Sequence, residues 1–176
     1  MNVAVRVAGP GDVPQLAEVA AATFALACPP GMTQDRVDAF IAEVLSADRF
    51  DGYVSDPDRR VLLAEQDGIP LGYAMLVRGE PQDADVRAAL TLHPTAELSK
   101  IYVLPAAHGT GAATLLMEAA LEWVASVGAA GAWLGVNQQN DRAQRFYAKS
   151  GFVRVGTKRF LVGGTYEDDY VLERPL

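Results

Sequence analysis

The stretch from residue 101 to 116, IYVLPAAHGTGAATLL, decides the fold. An extended apolar run ends at Pro105, a turn with glycines at 109 and 111 follows, and a helix-periodic segment opens at once. Proline stops the strand, because it has no N–H to give to a ladder. Glycine lets the backbone approach a ligand with no Cβ in the way. The helix start then offers unpaired N–H groups and the positive end of the helix dipole, a setting that suits phosphate or pyrophosphate. The same glycines would also serve a plain strand-to-helix turn. Two familiar nucleotide loops do not fit. A P-loop needs Lys-Ser or Lys-Thr after its glycines, and a dinucleotide fingerprint needs three glycines early in a βαβ unit.

The second informative stretch is residues 137–152, NQQNDRAQRFYAKSGF. Seven helical residues turn through about 700°, close to two full turns. Asn140 and Tyr147 therefore share a face, with the small Ala143 between them. Phe146 lies about 100° away, where it and Phe152 can enter a core. One helix thus presents an amide and a phenol in line; a capping Asn beside a half-buried Tyr is the simpler account of the same pattern.

Working outward, residues 3–7 alternate as a strand, and Asp12 is placed to cap a helix over 13–27 whose stripe is Leu16, Val19, Ala20, Thr23 and Phe24. Cys28-Pro29-Pro30-Gly31 ends it. Thr33 can cap a helix over 34–46 with Val37, Phe40, Ile41 and Val44 buried. Strands at 60–66 and 69–77 flank Asp67-Gly68, a strong hairpin signal. Residues 79–95 read as a long polar loop with a short helix near 83–90. A strand over 97–104 leads to the glycine turn and to a helix over 111–127, its core face Leu116, Ala120, Trp123 and Val127. A buried strand (132–136), a helix (140–149) and two strands (152–162 and 166–173, joined by Gly163-Gly164) complete the chain. The order β-α-α-β-β-β-α-β-α-β-β implies one α/β domain over residues 1–176.

The net charge is −7, and no Lys/Arg cluster marks a nucleic-acid surface. Acidity serves solubility and tolerates a cationic substrate. No apolar run approaches the ~20 residues of a membrane span, and MNVAVRVAGPGD lacks the form of a signal peptide, so a cytoplasmic protein is expected. Cys28 cannot form an internal disulfide, and His93 and His108 make no zinc pattern with it, so no metal is expected.

Together the two stretches resemble the GNAT acetyltransferase superfamily. Its first signature is matched by Val103-Leu104-Pro105 and then His108, Gly109, Thr110, Gly111, Ala112 and Ala113; its second by Asn140, Ala143, Phe146, Tyr147, Gly151 and Phe152. The resemblance covers about residues 60–173. It implies a mixed, mostly antiparallel sheet of about seven strands flanked by about four helices, with acetyl-CoA as co-substrate and direct transfer to an amine. It places the pantetheine arm along Ile101, Tyr102 and Val103, the pyrophosphate on backbone N–H groups from Gly109 to Thr114, and Asn140 near the thioester. Tyr147 is the implied acid for the leaving thiolate. For the base we expect Glu97, at the start of the strand beside the cofactor, with His93 in the preceding loop as its rival, and for the oxyanion donor the backbone N–H of Val103. His108 stands where the family usually has Gln or Arg, so weaker or pH-sensitive cofactor binding is expected. Cys28 lies outside both signatures, which disfavours an acyl-enzyme.

For the acceptor, the resemblance implies a site built from residues 24–53 and 79–95. Both regions carry acids: Asp35, Asp38, Glu43, Asp48 and Asp51 in one, Glu80, Asp83 and Asp85 in the other. Glu167-Asp168-Asp169 adds three more. The segments WLGVNQQNDRAQRFYAKSGF and YEDDYVLERPL are similar to bacterial spermidine/spermine acetyltransferase-like members. The expectation is a primary amine of a small molecule (a polyamine, an aminoglycoside or an amino-acid derivative). Protein N-termini or lysines, and a non-catalytic acetyl-CoA-binding module, are the alternatives. The protein would work as a monomer or homodimer.

Overall fold

The computed structural model describes residues 2–176. The elements run β1 (Val3–Val7), α1 (Val13–Ala27), α2 (Gln34–Val44), α3 (Ala47–Ser55), β2 (Arg59–Gln66), β3 (Ile69–Arg78), α4 (Ala84–Ala89), β4 (Thr95–Val103), α5 (Ala112–Ser126), β5 (Gly131–Asn137), α6 (Asp141–Lys149), β6 (Val153–Val162) and β7 (Thr165–Pro175). The seven strands form one sheet in the order β1-β2-β3-β4-β5-β7-β6. Only β4 and β5 pair in parallel. A parallel pair needs a crossover, and α5 supplies it.

Two cores cover the two faces of the sheet. Leu62, Leu76, Leu98 and Leu134 meet Leu116, Ala120 and Val124 of α5 on one face. Leu63, Tyr73 and Met75 meet Leu16 and Phe24 of α1, Phe40 of α2 and Phe50 of α3 on the other. Because both faces are covered, β2 and β3 carry near-continuous apolar runs where a half-exposed strand would alternate. The turn between them has φ of 52° at Asp67 and 79° at Gly68, the pair of positive values a two-residue hairpin needs.

Six α-helices are present among the described residues, against the four expected. The missing signal is α3, capped by the Ser46 side chain accepting from the Arg49 N–H. It buries one residue fully, Phe50, whose ring meets Tyr53 at 5.5 Å and Tyr73 at 5.8 Å. Its apolar contacts, Phe50 with the half-buried Tyr53 and Val54, fall within five positions of a nine-residue helix that contains Gly52, too few to show a helical period. The other addition is α4, foreshadowed by the short helix near 83–90 and capped by Asp83. The core stripe of α5 is Ala112, Leu116, Met117, Ala120 and Val124; Trp123 and Val127 are only half-buried. Asp12 stands at the N-cap position of α1, but its side chain makes no cap hydrogen bond. Residues 10–12 already turn as a 3-10 helix, and its carboxylate instead accepts from the Gly9 N–H and pairs with Arg6 at 2.7 Å. Thr33 does cap α2.

Candidate active site

The site begins with a defect in the sheet. Along β3 and β4, Met75 pairs with Lys100 but Leu76 pairs with Leu98, leaving Ser99 as the extra residue of a bulge. A bulge bends its strand. On its other side β4 pairs with β5 at three positions only, Thr95–Gly131, Ala96–Ala132 and Glu97–Trp133. Beyond them the strands part. A cavity of about 810 Å³ opens there and reaches both faces of the sheet.

On the α5 side the cavity is lined by Ile101, Val103, His108, Ala113, Asn140 and Tyr147. Gly109 and Gly111 hold φ of 83° and 87°, and a Cβ on either would meet nothing within 4 Å. Both are there for backbone conformation, not for close packing. Gly111 ends the turn as the N-cap of α5 with no side-chain cap. Ala112 N–H donates to Thr110 Oγ1, while Ala113 and Thr114 sit in the first turn, where no carbonyl lies one turn back. This open, glycine-shaped helix start fits a pyrophosphate. Arg142 Nη2 donates to His108 Nδ1 at 2.9 Å, so a cation stands beside the turn even though His108 replaces the usual Gln or Arg. Residue 142 was missed by sequence reasoning because nothing in the motif spacing marks it.

The α6 face is as its spacing predicts, with one change of role. Asn140 is the N-cap of α6, its Oδ1 accepting from the Ala143 N–H at 3.1 Å, while its side of the helix still lines the cavity. Tyr147 packs edge-on against Phe146 at 5.6 Å and Phe152 at 6.1 Å. Its hydroxyl has no hydrogen-bond partner among the described residues, and burial pushes its pKa well above the usual phenol value. The group stays protonated at neutral pH and is free to donate. Tyr102 faces the other core, its phenol pushed up to about 12 by burial.

On the α1 side the walls are the end of α1 and its following turn (Phe24, Cys28, Met32) and the β6–β7 hairpin (Phe160, Val162). Glu97, Lys100, Lys158, Glu167 and Asp169 bring the charge. Arg36 of α2 clamps the hairpin: Nε donates to Val162 O at 3.1 Å, and Nη2 donates to Thr165 O and pairs with Glu167 at 3.4 Å. Burial pushes the Cys28 thiol up, and Sγ donates to Phe24 O at 3.1 Å; such a thiol is a poor nucleophile.

Several expected acceptor residues lie elsewhere. None of Asp35, Asp38, Glu43, Asp48, Asp51, Glu80, Asp83 or Asp85 lines the cavity, and no residue of 79–95 does. The acids of α2 and α3 face solvent because the apolar stripes of those helices take the inner face. His93 is exposed and paired with Glu80 at 2.8 Å, an interaction that raises its pKa but keeps it outside the cavity. Glu97 is the one expected candidate base that the cavity contains.

Comparison with known proteins identifies the family. The acetyltransferase (GNAT) family matches residues 29–152. N-acetyltransferases of Mycobacterium tuberculosis and Mycobacterium bovis, neither characterised, are 48% identical over 165 residues, covering 94% of this chain and 98% of theirs. Among solved structures, the PaiA N-acetyltransferase of Thermoplasma acidophilum in complex with coenzyme A is similar with a TM-score of 0.78 at 20% identity, each chain covered fully. The ribosomal-protein-alanine N-acetyltransferase of Brucella melitensis gives 0.73 at 18%, covering 98% of this chain and 99% of that one. The chain belongs to the GNAT acetyltransferase family. It is an acetyl-CoA-dependent N-acetyltransferase. Among the described residues, no helix is long and apolar enough to cross a membrane.

Proposed function

We propose that this enzyme acetylates the primary amine of a small molecule held on the α1 side of the cavity. The observation that carries the reading is the Arg36 clamp. It ties the β6–β7 turn to α2 so closely that a Cβ on Gly163 would lie 2.5 Å from Arg36 Cα. That holds the hairpin carrying Phe160, Val162 and Glu167 firmly as one wall of the chamber, which supports a compact acceptor over a protein chain.

Acetyl-CoA supplies the thioester carbonyl and the leaving thiolate. Residues Ile101, Tyr102 and Val103 offer the strand edge freed by the bulge to the pantetheine arm. Gly109, Gly111, Ala113 and Thr114 cradle the pyrophosphate through backbone N–H groups, Thr110 and Ala112 shape the turn between them, and His108 and Arg142 add side-chain contacts. Asn140 shapes the wall near the thioester. An alkyl ammonium of pKa about 10.4 must lose a proton before it can attack. Glu97 takes that proton, through water, before the N–C bond forms, and the second proton that nitrogen sheds as the intermediate collapses returns to the Tyr147 oxygen. The N–H of Val103 receives the charge that develops on the carbonyl oxygen. Tyr147 gives its proton to the sulfur as the C–S bond breaks, and its partnerless hydroxyl is what that role requires.

The test is thiol release from acetyl-CoA with spermidine, an aminoglycoside, amino acids and short peptides. Turnover of a small amine is expected. Tyr147→Phe should lower kcat about 10²–10⁴-fold, the usual worth of general-acid catalysis, with acetyl-CoA affinity nearly unchanged. Turnover of peptides alone would overturn the small-acceptor reading. If none of the panel turns over while acetyl-CoA still raises Tm, a non-catalytic binding module is favoured instead.

A further inference from the structure

Asp169 is the most unusual side chain in the cavity. It is 5% exposed, its Oδ1 has no hydrogen-bond partner, and it makes no ion pair among the described residues. A buried carboxylate without a partner is costly, so its retention in a cavity wall points to a ligand. β7 lies between β5 and β6, which sets Asp169 opposite Asn137 on one side and Lys158 on the other. Gly135 of β5 makes room for both. A Cβ there would come within 3.2 Å of Asp169 Oδ2, 2.6 Å of Lys158 Cε and 3.5 Å of Lys158 Nζ.

Two ammonium groups of the chamber also lack ion-pair partners among the described residues. Lys158 Nζ rests 5.7 Å from the Trp133 ring centre and 5.4 Å from that of Phe160. Lys100 Nζ stands across the opening on β4, 5.9 Å from the Phe40 ring and donating only to Ser99. Burial lowers the Lys100 pKa. Glu167 is engaged by Arg36. The chamber therefore presents one carboxylate and two ammonium groups that attract one another without closing a short ion pair, with Glu97 at the thioester end. A polycation would meet Lys100 and Lys158 as like charges. A molecule with its own ammonium and carboxylate would complement all three.

We infer that Asp169, Lys100 and Lys158 form an acceptor-recognition site for a zwitterionic amine of the amino-acid type, Asp169 receiving the ammonium and the two lysines the carboxylate. This rests on the reading above that a small amine is the acceptor, and it names the class.

The experiment sets amino acids beside their decarboxylated amines (phenylalanine and phenethylamine, arginine and agmatine), with spermidine included, in the thiol-release assay. The amino acids are expected to exceed the matched amines by about tenfold or more in kcat/KM, the worth of one charge-assisted hydrogen bond. Lys158→Met and Lys100→Met should each shrink that ratio, and Lys158→Arg should keep it. Asp169→Asn should lower kcat/KM for both members of a pair while acetyl-CoA still raises Tm, showing an intact fold. Equal or better use of the decarboxylated amines, or a ratio unchanged in both Met variants, would overturn the inference. So would turnover of spermidine alone, which leaves the small-amine reading standing. Absence of any thermal shift with acetyl-CoA would overturn both.

Discussion

Replacing Asp169 by Asn is expected to stabilise the protein at neutral pH. Burial pushes the Asp169 carboxyl from its ordinary 3.8 up to about 6, against the opposing pull of Lys158 and Lys100. A tenfold change in proton affinity is about 1.4 kcal/mol, so keeping this group ionised at pH 7 costs the folded state about 3 kcal/mol. Below pH 4 the group is protonated folded or unfolded, and the cost vanishes. Between pH 4 and 6 the unfolded chain gives up this proton first, so the native state binds more protons and stability falls as pH rises. Above pH 6 the cost is constant. Asparagine has the shape of the protonated acid at every pH and escapes the loss. At this chain length each kcal/mol moves Tm by about 2–4 °C. The variant should therefore melt about 6–12 °C above the parent at pH 7.5, with the gap closing towards pH 4. Calorimetric melts of both proteins across pH 4–8 decide it. A variant no more stable at pH 7.5, or a gap that persists at pH 4, would refute the desolvated-carboxylate reasoning.

Three further outcomes are expected. Gly111→Ala forces a φ of 87° on a residue with a Cβ, which should cost about 1–2 kcal/mol in urea unfolding and weaken acetyl-CoA binding. Arg142→Ala removes the cation beside the glycine turn; calorimetric titration should show acetyl-CoA bound about tenfold more weakly, with a smaller loss at high salt. Phe50→Ala empties a fully buried site between α3 and the sheet, and guanidinium unfolding should register a loss of about 3–5 kcal/mol.

Much of the frame was legible because it rests on local chemistry. The Asp67-Gly68 turn, the five-residue stripe of α1 and the glycine-shaped start of α5 each carry their own signal, and the structure repeats them within a residue or two. What was not legible depends on pairing between distant segments. Nothing in TAELSKIYV marks Ser99 as a bulge, since its register is set by β3. Asp169 reads as one more solvated acid in an EDD run until β5 and β6 close on either side of it. The acids of residues 35–51 and 80–85 misled in the opposite direction. Their count suggested a site, but the faces they occupy point away from the cavity. Asn140 shows how one residue can meet two demands: it lines the wall while its side-chain oxygen caps the helix.

The parting of β4 from β5 after Glu97 leaves a strand edge in the middle of the sheet, where most proteins keep edges at the rim and guard them. An arm of peptide-like amides laid along that edge would act as an extra strand, satisfying backbone groups that the chain itself leaves open. Filling the seam then does two jobs at once. In the binding mode proposed above it would dock the cofactor and bridge the β1–β4 half of the sheet to the β5–β7 half, so that occupancy and cohesion of the whole sheet would rise and fall together.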